Sequence, residues 1–411
     1  MNVFYNFGMK AYQAAIALAA TGNGKVRRMR AGQRQTFDYL AANLDPQGGY
    51  VWFHAASLGE FEQARPLIEM LRRERPDEKI LLTFFSPSGY EVRKDYDQVD
   101  AVCYLPVDTA AHARRFVEAV KPRMAIFVKY EFWGNYLDTL HSAGIPTYII
   151  SCILRPSQIF FKPWGGMFRK MLRCFDTFFV QNDETQQLLA SIGLENVVVA
   201  GDTRYDRVAD IKAAARTFPL LEVFTANATH TLVMGSSWQP DEDIALPYIN
   251  ARNDLKLIIA PHEFDDQRLA ILERRLPEPV VRYSRLTEPD DAAQARSLII
   301  DCFGLLSSLY RYGDVAEVGG GFGSGIHNLN EAAAHGIPVL FGPKHEKFQE
   351  AHDLLACGGG FTFSNAQEFA ATMDTLLDND QTRAHAAKAA ATHIATHVGA
   401  TSTIYRALFQ D

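Results

Sequence analysis

Two acidic side chains and one glycine-rich loop carry the chemistry this sequence could perform. Glu60 lies in AASLGE, directly after the apolar run 50–54, and Glu131 lies in KYEFWGN after the run 124–129. A carboxylate in a glycine-containing loop above a parallel sheet loses hydration, which lifts its pKa toward the range of a useful general base. On spacing alone, a helix-capping glutamate fits Glu60 equally. Two acids on one rim favour acid–base chemistry. The third feature is DVAEVGGGFGSGIHNLNEAAAHGIPVLFGP (314–343): a short strand, five glycines among the seven residues 319–325, a helix from about Asn328 to His335, and a second apolar strand. A strand that empties through glycines into a helix gathers main-chain N–H groups and the positive end of a helix dipole, which suits a phosphate. So many adjacent glycines cost backbone entropy without adding packing, which argues for a ligand. His327, Asn328 and Glu331 set an imidazole, an amide and a carboxylate at that helix start; Glu331 suits a sugar diol or a helix cap equally. The G-x-G-x-x-G spacing of dinucleotide folds is absent, which disfavours a nicotinamide or flavin cofactor.

The elements that must position these groups follow a regular rhythm. Apolar runs at 50–54, 79–83, 101–105, 124–129, 146–151, 177–181 and 196–200 alternate with helical segments. After a polar interval at 206–227 the rhythm restarts with runs at 231–235, 255–260, 279–283, 297–301, 314–318, 337–341 and 360–363. Strands too apolar for a wet face imply parallel sheets covered on both sides, so the expected fold class is α/β, two doubly wound domains facing one another. Ser57, Gly59 and Glu60 then fall at the carboxyl end of a strand, where open α/β sheets bind ligands. Pro66 lacks an N–H and cannot sit deep in a regular helix, so that helix is expected to begin only a few residues earlier. The Ala-rich region 365–409 is expected to be helical and able to cross back to brace the first domain.

At 411 residues the chain suits two domains of roughly 150–200 residues each. A formal charge of −7 argues against a general nucleic-acid binder. The five cysteines (103, 152, 174, 302, 357) are dispersed, odd in number and free of any C-x-x-C pair, so a reducing compartment fits. His393 with His397, and His345 with His352, lack a third ligand in a zinc pattern and read as structural or solvated.

Charge is uneven. Residues 1–44 hold six Lys or Arg against one acid, Asp38. Residues 1–20 place Phe4, Phe7, Ala11, Ala15 and Leu18 on one side of a helix, too interrupted to span a bilayer and with its positive charge after rather than before the apolar part. A helix lying in the membrane interface, its basic flank held by anionic lipid, is the expectation, against the alternative of a helix docked on the protein's own surface. Between 151 and 175, Arg155, Lys162, Arg169, Lys170 and Arg173 mix with Phe160, Phe161, Trp164, Phe168 and Phe175. That mixture suits a lipid headgroup zone or stacked single strands; the acidic net charge favours lipid.

Taken together, WFHAASLGEFEQARPLI (52–68), LLTFFSPSGYE (81–91), YLPVD (104–108), KYEFWGN (129–135), GDTRYD (201–206), IAPHE (259–263) and the glycine-rich segment resemble, in order and spacing, the 3-deoxy-D-manno-octulosonic acid (Kdo) transferases. The resemblance covers nearly the whole chain. It implies a GT-B fold, two Rossmann-like domains facing across a cleft. It also implies an inverting, metal-independent glycosyltransferase that moves Kdo from CMP-Kdo to a lipid A precursor (lipid IVA) in lipopolysaccharide synthesis at the cytoplasmic face of a bacterial inner membrane.

The implied domains are an anchor and basic flank at 1–30, an acceptor domain at 31–210 and a donor domain at 211–411. By resemblance Glu60 is the general base and Glu131 holds or orients the acceptor. Gly319, Gly320, Gly321, His327, Asn328 and Glu331 belong to the CMP region, with Arg204, Ser236, Ser237, Pro261 and His262 completing the donor cleft. Ser57, Gly59, Arg155, Lys162, Trp164, Arg169 and Lys170 fall to the acceptor and the membrane. Lys129, His262 and Leu305 depart from the commoner pattern, which bears on the donor-carboxylate contacts. The implied cofactor set is empty, CMP-Kdo being the donor substrate. Two alternatives are another GT-B enzyme acting on a UDP-sugar and a non-catalytic sugar-nucleotide or lipid-binding scaffold.

Overall fold

Among the described residues fourteen strands alternate with helices along the chain. The structure, a computed structural model, describes residues 3–323 and 325–410; the first two residues of the expected anchor, Ser324 of the glycine loop and the C-terminal Asp411 lie outside the described residues. The chain divides into two units: residues up to Arg207 together with those from Val398 onward, and Val208–His397.

The first unit holds β1 (Tyr50–His54), β2 (Ile80–Phe84), β3 (Ala101–Tyr104), β4 (Pro122–Val128), β5 (Thr147–Cys152), β6 (Thr177–Val180) and β7 (Val197–Val199). They form one parallel sheet in the order β3-β2-β1-β4-β5-β6-β7. Trp52, Leu81 and Phe127 pack into one face, and Val51, Phe53, Leu82 and Ile126 into the other. Burial of both faces is why these runs are continuously apolar instead of alternating. The strand order reverses between β1 and β4, and the crevice beyond their carboxyl ends is the ligand position in this architecture.

Three helices of this unit bear on the site. α1 (Val3–Gly22) and α2 (Gly24–Asn43) pack against the β2 and β3 end through Ile16, Met29, Phe85, Tyr104 and Val107. Asn23 breaks them apart and caps α2 by accepting the N–H groups of Lys25 and Val26. α3 (Leu58–Glu74) buries Phe61, Ala64, Leu67, Ile68 and Leu71 on the sheet. It runs straight through Pro66, contrary to the expectation that it begins only a few residues before that proline. The proline forfeits one main-chain bond, and the apolar stripe on either side offsets the loss.

The helix Ala400–Phe409 buries Ile404, Tyr405 and Phe409 against the α3 face of the same sheet, so it belongs to the first unit and not to the 211–411 span assigned from sequence. The Asp206 carboxylate pins its start, accepting from Gly399 N at 2.6 Å and from Thr401 N and Oγ1 at 2.7 Å.

The second unit holds β8 (His230–Ser237), β9 (Leu255–Pro261), β10 (Val280–Arg282), β11 (Ser297–Ile299), β12 (Val315–Val318), β13 (Val339–Phe341) and β14 (Gly360–Thr362). These pair in parallel in the order β10-β11-β9-β8-β12-β13-β14, which places the switch point between β8 and β12. Its core gathers Leu232, Met234, Leu257, Ile259 and Leu340 under Leu246, Phe369 and Met373.

Candidate active site

In the first unit the switch point collects Glu60, Glu131, His54 and Trp133. Glu60 sits in the first turn of α3, and its Oε2 accepts from Ser57 N at 3.0 Å and Ser57 Oγ at 3.2 Å. Glu60 is thus a helix cap and an acid facing the switch point at once. Burial, reinforced by the charge of Glu131, pushes its carboxyl up to about 7, against the lowering effects of His54 and the Ser57 hydrogen bonds. A carboxylate that titrates near neutrality is placed to take a proton from a hydroxyl. Gly59 is exposed, and a Cβ there would meet nothing within 4 Å, so the position is sterically open.

Glu131 is buried, 8% exposed, and its Oε2 stands 3.1 Å from His54 Nε2 while the Trp133 indole N–H points at the same oxygen. The other ring nitrogen of His54, Nδ1, lies 2.9 Å from Thr83 Oγ1 and 3.2 Å from the Thr83 carbonyl. The Glu131 loop is fixed from its far end by Asp108. This buried carboxylate accepts the N–H groups of Asn135 and Tyr136 at 3.0 Å, capping the helix Gly134–Ser142. Tyr5 of α1 donates to Asp108 at 2.6 Å and accepts the Gly134 N–H at 3.0 Å, so α1 is tied directly to the loop that carries Glu131. The motifs YLPVD and KYEFWGN therefore meet as cap and capped helix. Lys129, the residue after β4, has φ 62, a left-handed backbone of the kind found at functional turns.

Arg204 pairs with the buried Asp202 at 2.8 Å, and Gln63 holds the same carboxylate at 3.1 Å. The positive charges of Arg155 and Arg204 both oppose the burial that raises the Tyr130 hydroxyl pKa, which brings these two arginines to the β4 rim. The 151–175 stretch is divided in its roles. Phe160 and Phe175 are core residues around Phe132, and Arg169 donates to the carbonyls of Phe160 and Lys162 at 3.1 and 3.0 Å. Trp164 is 72% exposed, Lys170 is exposed and Lys162 half-buried.

In the second unit the carboxyl ends of β8, β9 and β12 bring together Ser236, Pro261, His262, Gly319 and His327. The rings of Trp238, His262 and His327 stack in sequence, with centroids 4.6 and 4.4 Å apart. Trp238 Nε1 donates to His327 Nε2 at 3.1 Å, which requires that nitrogen unprotonated. Burial, then the charge of His262, brings the His327 imidazole down to about 4, so it is neutral at physiological pH. Ser236 has φ 52 at a register shift in β8. The Ser237 hydroxyl is occupied, donating to Glu242, which two arginines, Arg268 and Arg275, also hold.

The glycine loop corrects the entropic argument for a ligand. A Cβ on Gly321 would lie 2.5 Å from Gly342 Cα, and Gly320 has φ 96, so packing and backbone conformation by themselves require glycine there. Its N–H groups are largely committed too: Gly319 to the Gly235 carbonyl at 2.9 Å, Gly320 to Asp241 Oδ2 at 3.0 Å, Gly323 to the Gly320 carbonyl at 2.9 Å. The helix after the loop is short, Leu329–Ala334, and Asn328 caps it, accepting the Asn330 N–H and donating to Glu331 Oε1 at 3.0 Å. Asn328 and Glu331 therefore act as a pair at the helix start. Sequence reading missed His54, Trp133 and Trp238. Their signal was available, an imidazole closing β1 and an indole beside each candidate site.

Among the described residues no group of three His, Cys, Asp or Glu side chains is gathered to hold a metal ion. The histidine rings meet in twos, His393 tilted against His397 with centroids 4.3 Å apart and His345 edge-on to His352 at 5.9 Å.

Comparison with known proteins adds to this geometry. The family model described as 3-Deoxy-D-manno-octulosonic-acid transferase (kdotransferase) matches residues 27–207. The chain is 28% identical over 335 residues to a 3-deoxy-D-manno-octulosonic acid transferase of Aquifex aeolicus, covering 80% of this chain and 86% of that protein. It is 28% identical over 386 residues to the Bordetella pertussis protein of the same name, with 88% and 87% covered. Among solved structures, UDP-GlcNAc 2-epimerase from Neisseria meningitidis superposes with a TM-score of 0.62 at 14% identity, over 88% of this chain and 100% of that one. MurG from Acinetobacter baumannii does so with a TM-score of 0.56 at 14% identity, again over 88% and 100%. At that identity the structural likeness speaks to the fold alone: two Rossmann-like domains of the GT-B kind.

Proposed function

Because this chain is a glycosyltransferase belonging to the 3-deoxy-D-manno-octulosonic acid (Kdo) transferase family, we propose that it transfers Kdo from CMP-Kdo to a hydroxyl of a lipid A precursor, lipid IVA, with inversion. The acceptor oxygen attacks the anomeric carbon as its proton passes to Glu60. The bond from that carbon to the phosphate oxygen breaks, and CMP leaves with the electron pair. The observation that carries the assignment is the Glu60 carboxyl at the β1 and β4 switch point, raised to about 7 by burial and Glu131. A single base opposite the leaving group gives direct displacement, by analogy with inverting glycosidases.

In this reading Glu131, held by His54 and Trp133, keeps the carboxylate rim in place and orients the acceptor. The neutral His327 and the Asn328–Glu331 pair take the nucleotide, with Ser236 and His262 beside them. By resemblance to the family no metal takes part, and EDTA is expected to leave turnover intact. The enzyme works at the cytoplasmic face of the inner membrane, with α1 and the basic flank to residue 34 and the rim at 155–175 against anionic lipid. Incubation with CMP-Kdo and tetra-acylated lipid A precursor, followed by mass spectrometry, tests the reading. One or more Kdo increments with CMP release support it. Release of UDP from a UDP-sugar, or full biological activity in Glu60→Ala, overturns it.

A further inference from the structure

α1 presents three different surfaces around its axis, and one of them has no role in the chemistry above. Its inner side packs through Ile16 and Ala20. Its outer ridge leaves Phe4, Phe7 and Leu18 exposed by 82, 74 and 75%. Side chains of this kind gain free energy when an apolar surface covers them. One flank of the ridge borders a cavity of about 760 Å³ with a mainly apolar lining that includes Tyr12, Ala15, Val26 and Phe85. The other flank borders a cavity of about 530 Å³ lined by Lys10, Arg30, Arg34, His112 and Arg115.

This second cavity is unbalanced in charge. Among the described residues no Asp or Glu lines it, and no ion pair engages Lys10, Arg30, Arg34 or Arg115. Like charges gathered around one hollow repel, and in a chain of net charge −7 they have no general electrostatic cause to collect there. Its walls are fixed. Gln33 donates to the Leu105 carbonyl at 3.0 Å, His112 Nδ1 to the Val107 carbonyl at 2.9 Å, and the Arg115 guanidinium lies 3.9 Å over the Phe37 ring. The three guanidinium forks of Arg30, Arg34 and Arg115 and the Lys10 ammonium around one space match the several oxygens of a phosphate. A nucleic acid fits less well, because Arg115 covers Phe37, the ring on which a base would stack.

The geometry points to a binding site for a phosphate group carried by an amphiphile: the cavity between α1, α2 and the helix Ala110–Val120 holds the phosphate, while the apolar ridge of α1 and the cavity on its far flank lie against the chains. The chain of rings Tyr12, Phe85 and Trp133, with centroids 6.4 and 4.8 Å apart, leads from that apolar cavity to Glu131. This assignment rests on the transferase reading only in taking its ligand to be a lipid. It concerns a phosphate subsite remote from the reacting hydroxyl, which that reading does not require.

The test is flotation of the full chain with phosphatidylcholine vesicles doped either with phosphatidic acid, a phosphomonoester, or with phosphatidylglycerol, a phosphodiester, at matched surface charge. The wild type is expected to prefer the monoester. Arg30→Gln with Arg34→Gln is expected to lower monoester binding roughly tenfold or more and abolish the preference, since each charge-assisted bond contributes about 1.5–3 kcal/mol. Competition by inorganic phosphate separates the sources: displacement to the level of undoped vesicles marks the phosphate contact, and binding left on those vesicles marks the chains. Arg115→Gln is a second variant on another helix, and thermal melting verifies that each variant folds. The proposal is overturned if the double variant keeps the preference, if Lys170→Gln with Arg173→Gln abolishes it equally, or if an oligonucleotide outcompetes both vesicles. A vesicle preference without Kdo transfer sinks the transferase reading alone; transfer without the preference sinks this one.

Discussion

Glu131 Oε2 stands 3.1 Å from His54 Nε2, so the second acid of the rim is held from beneath by the last residue of β1 instead of by solvent. The two partners act on Glu60 with opposite signs, Glu131 raising its pKa and His54 lowering it. Glu131→Gln is therefore expected to move the acid limb of the kcat/KM–pH profile to lower pH, and His54→Gln to higher pH. Shifts in the same direction would refute the electrostatic coupling. Intrinsic tryptophan fluorescence, sensitive to Trp133, checks that the loop stays in place.

The titration of Glu60 has consequences for both rate and stability. Turnover is expected to rise with pH through about 7 as the base ionises. Glu60→Gln is expected to lose about 10²–10⁴-fold in kcat while still binding CMP. For stability, the folded carboxyl titrates at about 7 against an ordinary 4.5, so the folded state holds the proton more tightly and wild-type stability falls as pH rises through that window. Glu60→Gln escapes this loss. Its melting temperature is expected to exceed that of the wild type above pH 7 and to match it below 4.5, as read by differential scanning calorimetry.

His327 gives the reverse sign. Its folded pKa, about 4, lies below the ordinary 6.5, so as pH falls the unfolded chain takes the proton first and stability is lost across that interval. His327→Gln is expected to show a shallower loss of stability between pH 6.5 and 4. An NMR titration that finds the wild-type imidazole charged at pH 6 would contradict the assignment.

The legible part of this fold was its strand rhythm. All fourteen apolar runs became strands, because a parallel sheet covered on both faces writes its burial directly into sequence. The two acids were legible for a related reason, each following such a run. What sequence could not supply was the set of contacts fixed by neighbours distant in the chain. The glycines at 319–321 answer to Ser236, His327 and Gly342, so counting them said little about a ligand. His54 matters because β4 sets Glu131 beside it, and Trp238 because β9 brings His262 onto its ring while His327, after the glycine loop, accepts its indole N–H. Pro66 misled because the helix-breaking rule is local, whereas the apolar stripe of α3 is rewarded by the whole sheet.

Beneath the glycine loop, Glu317 is fully buried in β12, and among the described residues neither of its carboxyl oxygens has a hydrogen-bond partner. Burial first, then the charges of Asp241 and Glu242, push its pKa well above the carboxylate range, which favours the protonated form. Glu317→Met keeps the volume and removes the unsatisfied group. It is expected to stabilise the second unit by about 1–3 kcal/mol, more at pH 8 than at pH 5 because the folded acid resists an ionisation that the unfolded chain welcomes. Loss of stability on this substitution would reveal a partner that Glu317 needs.

The exposed ridge of α1 can be separated from the packing of that helix. Phe4 and Phe7 are 82 and 74% exposed, whereas Ile16 and Ala20 anchor α1 to the unit and Tyr5 ties it to the Glu131 loop. Phe4→Ser with Phe7→Ser therefore removes apolar surface with little effect on the fold, and the melting temperature is expected to stay within a degree or two of wild type, in line with surface substitutions of about 0.5 kcal/mol or less. If the ridge lies in a bilayer interface, the same variant loses the burial of two rings, about 1.5–3 kcal/mol each, and its partition onto neutral vesicles falls by at least tenfold. Unchanged sedimentation with vesicles would remove the membrane from the account of α1 and leave the ridge an ordinary exposed surface.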